Sequence, residues 1–144
     1  MQINFDKYAQ TGRDFVKKIA TKLGDPDDLE VAGRLLRSTL HVLRDQSTPE
    51  ESVQFISQLP MFVKALYVDG WKLASKKGRV RRMENFIDAV SKQNHTHGND
   101  DFSSDGGLSY AIGAVFQVIK EYVSEGGIED MRRTLPEELR PLLG

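Results

Sequence analysis

The chain has 144 residues, the usual size of a single domain, and it contains no cysteine. Disulfides, thiolate metal sites and cysteine nucleophiles are therefore excluded, and we expect a soluble protein of a reducing, cytoplasmic compartment. Its 20 Lys and Arg balance 21 Asp and Glu, so no overall charge draws the protein to nucleic acids or membranes.

Apolar periodicity predicts two long helices at the start of the chain. Apolar residues recur every three or four positions between Phe5 and Leu23, apart from a gap around Gln10 and Thr11, and Gly24 can adopt the left-handed conformation that ends a helix. Asp25-Pro26 then supplies a cap and a first-turn proline for a second helix that runs to about Asp45. His41 flanks the apolar face of this helix, and we interpret it as a polar flanking residue rather than a catalytic base, because no nucleophile accompanies it.

Two shorter helices follow. Thr48-Pro49-Glu50-Glu51 has the pattern of a capping box, which predicts a third helix ending near Gln58. Leu59-Pro60 predicts a break and a restart, because proline cannot donate a hydrogen bond to the preceding turn. We expect the fourth helix to carry four side chains toward the core: Phe62, Val63, Leu66 and Tyr67.

The second half begins with a change of composition. The stretch from 71 to 82 is polar and basic without periodicity, and we interpret it as a linker. A helical pattern from Met83 to Val90, a loop of turn-forming residues from Asn94 to Gly107 and a strong apolar stripe from Leu108 to Val123 follow. No segment shows the sustained alternation of a strand, so the sequence predicts an all-α fold.

The second half also repeats the pattern of the first. An offset of 76 residues places Leu59-Pro60 on Leu135-Pro136, and an offset of 71 places Phe15 on Phe86. Two such repeats can bury their apolar faces against each other, whereas an open solenoid usually needs three or more. We therefore expect a compact helical bundle of two similar repeats with a pseudo-twofold. One domain would cover 1–144, with repeats at about 5–70 and 83–144 and the basic linker at 71–82.

Three segments of the sequence are distinctive: NFDKYAQTGRDFV near the start, LLRSTLHVLRDQSTPEESVQFISQLP running into ALYVDGW, and SEGGIEDMRRTLPEELRPLL at the end. Together they resemble a bacterial family known as domain of unknown function 2267. The resemblance implies an all-helical, cytoplasmic bacterial protein, and it implies no reaction, cofactor or catalytic residue. The loop from His95 to Gly107 is longer than the corresponding turn of the first half, and the resemblance supports no function for it.

That loop contains the residue types that bind metals. His95 and His97 could place two imidazoles on one side of an extended segment, with Asp101 and Asp105 completing the coordination of a divalent ion. The loop also matches the first half of a calcium loop, but Ile112 stands where a bidentate glutamate would close it. A solvated surface loop is the alternative, and we favour it because this ligand spacing alone is unspecific.

The linker has six basic residues within eleven positions, next to Trp71. Phosphate contacts by such a cluster, with an aromatic ring for a base to stack on, would form a minimal nucleic-acid site. A solvated linker with Trp71 packed into the core is the alternative, which the neutral overall charge favours. The six residues are Lys72, Lys76, Lys77, Arg79, Arg81 and Arg82.

The sequence contains no phosphate loop, nucleophile elbow or paired carboxylates, and we lean toward a protein that is not an enzyme and uses no cofactor. Our first hypothesis is a protein-interaction or adaptor module that binds itself or another protein. It predicts that apolar residues such as Tyr67, Trp71 or Val53 stay exposed as a contiguous patch. Nucleic-acid binding by the linker is the alternative, followed by metal binding by the 95–105 loop.

No apolar run reaches the length of a membrane span, so we expect no membrane partner.

Overall fold

The computed structural model describes residues 2–73, 80–95, 102 and 105–144, with the backbone alone at 95, 105, 106 and 134. Within these ranges the regular structure is entirely helical, so the predicted all-α class is confirmed. The elements are α1 (Phe5–Lys22), α2 (Leu29–Gln46), α3 (Pro49–Ile56), α4 (Met61–Val68), α5 (Met83–His95), α6 (Asp105–Tyr122), α7 (Glu125–Thr134) and a C-terminal 3-10 helix (Glu137–Leu143).

Polar side chains cap the starts of α2 and α3. The capping box of α3 is complete, because the Glu51 N–H donates to Thr48 Oγ1 at 3.2 Å and the Thr48 N–H donates to Glu51 Oε1 at 2.8 Å. At α2 the cap is Asp28, whose Oδ1 accepts from the Val31 N–H at 3.2 Å. These bonds satisfy N–H groups that have no partner within the helix itself.

The start of α2 differs from the prediction at Asp25-Pro26, since the helix begins at Leu29. The preceding residues still belong to the turn that leaves α1. Gly24 has a φ of 95°, and the Asp25 N–H donates to the carbonyl of Ala20 at 3.1 Å. The chain therefore needs three further residues to turn before a helix can start.

Helices α2 and α6 form the centre of the core. Helix α2 packs against α1, α4, α5 and α6, while α6 packs against α1, α5 and the 3-10 helix, and α3 contacts α7. One apolar cluster draws on every helix, so the elements enclose a single compact core. None of the helices in the described ranges combines the length and the apolar character that crossing a bilayer requires.

Three side chains lie elsewhere than the sequence predicts. Phe62 was expected in the core but is 43% exposed, although it packs on the backbone of Gly12. Tyr67 is fully buried, which confirms its place in the core and makes its inclusion in an exposed patch wrong. His41 is also buried rather than flanking, since α4 covers this face of α2.

Candidate functional site

An open apolar groove of about 510 Å³ lies between α1, α2 and α4. Four apolar side chains line it, and two of them are partly exposed to solvent, Leu29 at 37% and Phe62 at 43%. The other two are Val16 and Leu66. Large apolar side chains that line one surface depression mark an interaction surface more often than scattered exposed residues do. The groove is therefore the strongest candidate site in the described part of the chain.

Two glycines shape this groove in different ways. A Cβ placed on Gly12 would lie 2.7 Å from the Cβ of Phe62, so the ring rests directly on the backbone of α1. A Cβ placed on Gly33 would meet no atom within 4 Å, because this glycine faces open space. The missing side chain at Gly12 thus lets α4 approach α1, and the missing side chain at Gly33 leaves the groove open.

The charged residues that line the groove are three arginines, Arg13, Arg34 and Arg37, and one carboxylate, Glu30. Arg34 lies 3.8 Å from Glu30, a loose ion pair. Arg37 donates to the carboxylate of Asp69 at 2.7 Å, and this hydrogen bond lowers the pKa of Asp69. With Asp69 included, three arginines stand against two carboxylates, and Arg13 forms no ion pair with the described residues. The remaining positive charge favours an occupant that has an acidic group near Arg13.

Polar side chains of α2 hold the C-terminal end of α4. Arg44 donates from one terminal nitrogen to the carbonyl oxygens of Tyr67 and Asp69, both at 3.0 Å. His41 Nε2 lies 2.7 Å from the carbonyl oxygen of Leu66 and must be the donor, because a carbonyl only accepts. Burial lowers the pKa of His41, so the ring is neutral at pH 7. A helix leaves its last carbonyl groups without partners, and donors from α2 supply them here.

The contacts of His41 and Arg44 with the end of α4 form a junction between α2 and α4. Tyr67 connects this junction to α3 and to Trp71. Its hydroxyl lies 2.6 Å from Ser52 Oγ inside the core, and burial raises the pKa of Tyr67 to about 12. Its ring meets the ring of Trp71 edge-on, with centroids 6.0 Å apart. Tyr67 and Trp71, the two residues predicted as an interaction surface, are thus in contact. Tyr67 is fully buried, however, and Trp71 is half-buried.

The sequence contained a signal for this junction that periodicity alone did not reveal. Arg37, His41 and Arg44 recur at intervals of four and three, so they form a polar stripe along one side of α2. The segment ALYVDGW supplies the groups that this stripe contacts, the carbonyls of Leu66 and Tyr67 among them. In the structure these donors contact acceptors at the end of a neighbouring helix, α4.

The family model of an uncharacterized conserved protein, DUF2267, matches residues 12–142. The chain belongs to the DUF2267 family. The match includes all of α2 and α4 and the part of α1 from Gly12 onward, so it covers the junction and the groove lining except Ala9. Among curated proteins, no sequence matches this DUF2267 member.

The predicted basic cluster of this DUF2267 member falls partly outside the described residues, where Lys76, Lys77 and Arg79 lie. Lys72, Arg81 and Arg82 are exposed. Arg81 and Arg82 line a surface depression together with Arg133, which sequence reasoning did not include, and with two glutamates, Glu137 and Glu138. The fold thus adds one arginine to the end of the linker and places two carboxylates beside it.

The predicted metal site of the 95–105 loop stays a prediction. His97 and Asp101 lie outside the described residues, as do the side chains of His95 and Asp105. Within the described ranges, no three His, Asp or Glu side chains lie close enough together to hold a metal ion.

Proposed function

We propose that this DUF2267 protein is a non-enzymatic interaction module whose groove between α1, α2 and α4 receives an amphipathic helix of a protein partner that has an acidic side chain beside its apolar face. One observation carries the proposal: exposed apolar side chains line an open groove whose charges are three arginines and a single glutamate. The groove lining contains no hydroxyl or imidazole side chain, and its one carboxylate lies beside Arg34. These groups suit recognition rather than bond formation.

The physical basis of the proposal is helix-in-groove recognition. The apolar face of a partner helix would cover Leu29 and Phe62, and removing apolar surface from water supplies about 25 cal/mol per Å². Acidic residues beside that face would meet the guanidinium groups of Arg13 and Arg34, which favours one orientation of the helix. The groove is preformed, because Arg44 and His41 hold α4 in place without any occupant.

Filling the groove tests this proposal. Gly33→Leu would place a side chain in the open space without meeting another atom near the Cβ. Gly126→Leu is a matched control, because Gly126 is exposed near the start of α7 and its Cβ position is equally free. A photo-crosslinking residue in place of Phe62 reports what enters the groove in cells. We expect Gly33→Leu to reduce crosslinking to partner proteins at least tenfold and Gly126→Leu to leave it unchanged. Equal crosslinking in both variants, with both folded by circular dichroism, would overturn the proposal.

A second candidate function is nucleic-acid binding through the basic linker. The observation that favours it is the position of Arg133 beside Arg81 and Arg82, which extends the predicted cluster onto α7. Glu137 and Glu138 reduce the local positive charge, so we place this function second. Replacing the three arginines with Ala should reduce the salt dependence of DNA or RNA binding, by about one unit of slope per lost phosphate contact. An unchanged slope would remove this candidate.

We also propose that the chain is one domain made of two repeats, at about 5–70 and 83–144, related by a pseudo-twofold. The helix bounds support it, since an offset of 76 residues relates α2 to α6 at both ends and relates the starts of α3 and α7. The contacts support it too, because α2 packs on α5 as α1 packs on α6, while α2 contacts α6 and α3 contacts α7.

The absence of cysteine supports a cytoplasmic location.

A further inference from the structure

Helix α1 contributes one wall of the groove and also carries an exposed apolar side chain beyond it. Phe5 is 75% exposed, the highest exposure of any large apolar residue in the described ranges. At 3.6 residues per turn, Phe5, Ala9 and Arg13 project into the same third of the helix circumference, and Asp6 lies at its edge beside Arg13. This side of α1 therefore presents Phe5 and Asp6 in its first turn and Arg13, on the groove wall, two turns later.

We propose that the groove binds a second copy of this chain, through antiparallel pairing of the two α1 helices about a twofold axis near Ala9 and Gln10. Phe5 of each copy then enters the groove of the other, and Asp6 of each copy pairs with Arg13 of the other. This inference rests on the proposed function, because it names the occupant of the same groove.

The register follows from the spacing of the two charges. Asp6 and Arg13 are seven residues apart, about two turns, so an antiparallel pair centred between them places each acid opposite the other copy's base. Neither side chain forms an ion pair with the described part of its own chain. One patch holds both members of the pair, as an interface between identical surfaces requires.

The apolar contacts fit the same arrangement. Ala9 is exposed where the two helices would cross, and its small side chain allows the helices to approach closely. In the pair, Phe5 of one copy reaches the region of Gly12, Val16 and Phe62 in the other copy. The apolar contact supplies most of the affinity, and the two reciprocal ion pairs select this register over others.

The test uses the full chain and two single variants, Asp6→Arg and Arg13→Asp, in analytical ultracentrifugation from micromolar to millimolar concentration. We expect wild-type protein to form dimers, and each variant alone to dimerise at least tenfold more weakly because like charges then meet. An equimolar mixture of the two variants should form dimers again, since the base introduced at position 6 of one variant then faces the acid introduced at position 13 of the other. Circular dichroism confirms that each variant keeps its helices. Gly33→Leu should prevent dimerisation, whereas Gly126→Leu should not.

A monomeric wild type across this range, or variants whose mixture does not regain dimers, would overturn the inference. Crosslinking from position 62 separates that failure from failure of the proposed function. If the wild type is monomeric but still crosslinks a different protein in a manner that Gly33→Leu prevents, the groove binds another partner and only self-association is wrong. If crosslinking is also insensitive to Gly33→Leu, both proposals fail.

Discussion

Helix α2 meets α4 in two regions of opposite chemistry. On the groove side, apolar residues such as Leu29 and Phe62 are exposed to solvent. On the junction side, polar residues are buried, among them His41 and Arg44, which hold the last turn of α4 through directional hydrogen bonds. Apolar contacts alone do not specify one orientation of a short helix, whereas bonds to its terminal carbonyls do. The buried polar junction is thus what keeps the exposed apolar groove in shape.

The largest effect should come from removing the junction's central donor. Arg44→Ala leaves the Tyr67 and Asp69 carbonyls without this partner, and we expect a loss of about 2–4 kcal/mol in the free energy of unfolding. Arg132→Ala is a matched control, because Arg132 also donates to terminal carbonyls, those of Leu143 and Gly144, but is less buried. Denaturant unfolding should show about 1 kcal/mol for the control, and equal losses would mean that burial of the junction contributes nothing.

The two glycines of the groove should respond in opposite directions. Gly12→Ala would force Phe62 off α1 and should cost about 1–3 kcal/mol, because the closely packed ring must move. Gly33→Ala meets no neighbouring atom and should stabilise the chain by up to about 1 kcal/mol through helix propensity. Thermal unfolding of the two variants measures the difference. Stabilisation by Gly12→Ala would show that Phe62 does not rest on this glycine.

Tyr67→Phe tests the connection between the junction and α3. It leaves the buried Ser52 hydroxyl without its Tyr67 partner and should cost about 1–2 kcal/mol in denaturant unfolding. Burial raises the Tyr67 pKa to about 12, above the value of about 10 in the unfolded chain. Stability from this residue is therefore present below about pH 10 and is lost as the pH rises toward 12, and Tyr67→Phe should lack that part of the alkaline loss. An identical alkaline profile in both proteins would contradict this assignment.

The smallest expected effect is the acid sensitivity of His41. Burial lowers the pKa of His41 below its unfolded value of about 6.5, so the unfolded chain binds the proton first as the pH falls. The contribution of His41 is present above about pH 6.5 and decreases below it. His41→Gln keeps a donor for the Leu66 carbonyl without a titrating group, and its unfolding free energy should depend less on pH between about 7 and 5. The same dependence in both proteins would assign the acid sensitivity elsewhere.

Helix positions could be predicted from the sequence because their signals are local. The capping box at Thr48 and the break at Pro60 lie within a few residues of the turns that they control, and α3 and α4 begin where these patterns indicate. The start of α2 could not be predicted as accurately, because residues 25–28 suit both a turn and a first helical turn. The bonds that end α1 decide between the two.

The sequence by itself determined the all-helical class and which side of each long helix is apolar, since periodicity needs no knowledge of neighbours. Only the tertiary structure decided which residues at the margins of these apolar faces are exposed to solvent. Phe62 and Tyr67 belong to one predicted apolar face, yet one is exposed over Gly12 and the other is buried against Ser52. The groove was likewise invisible in the sequence, because its three walls come from separate helices and its depth depends on a glycine whose surroundings only packing defines.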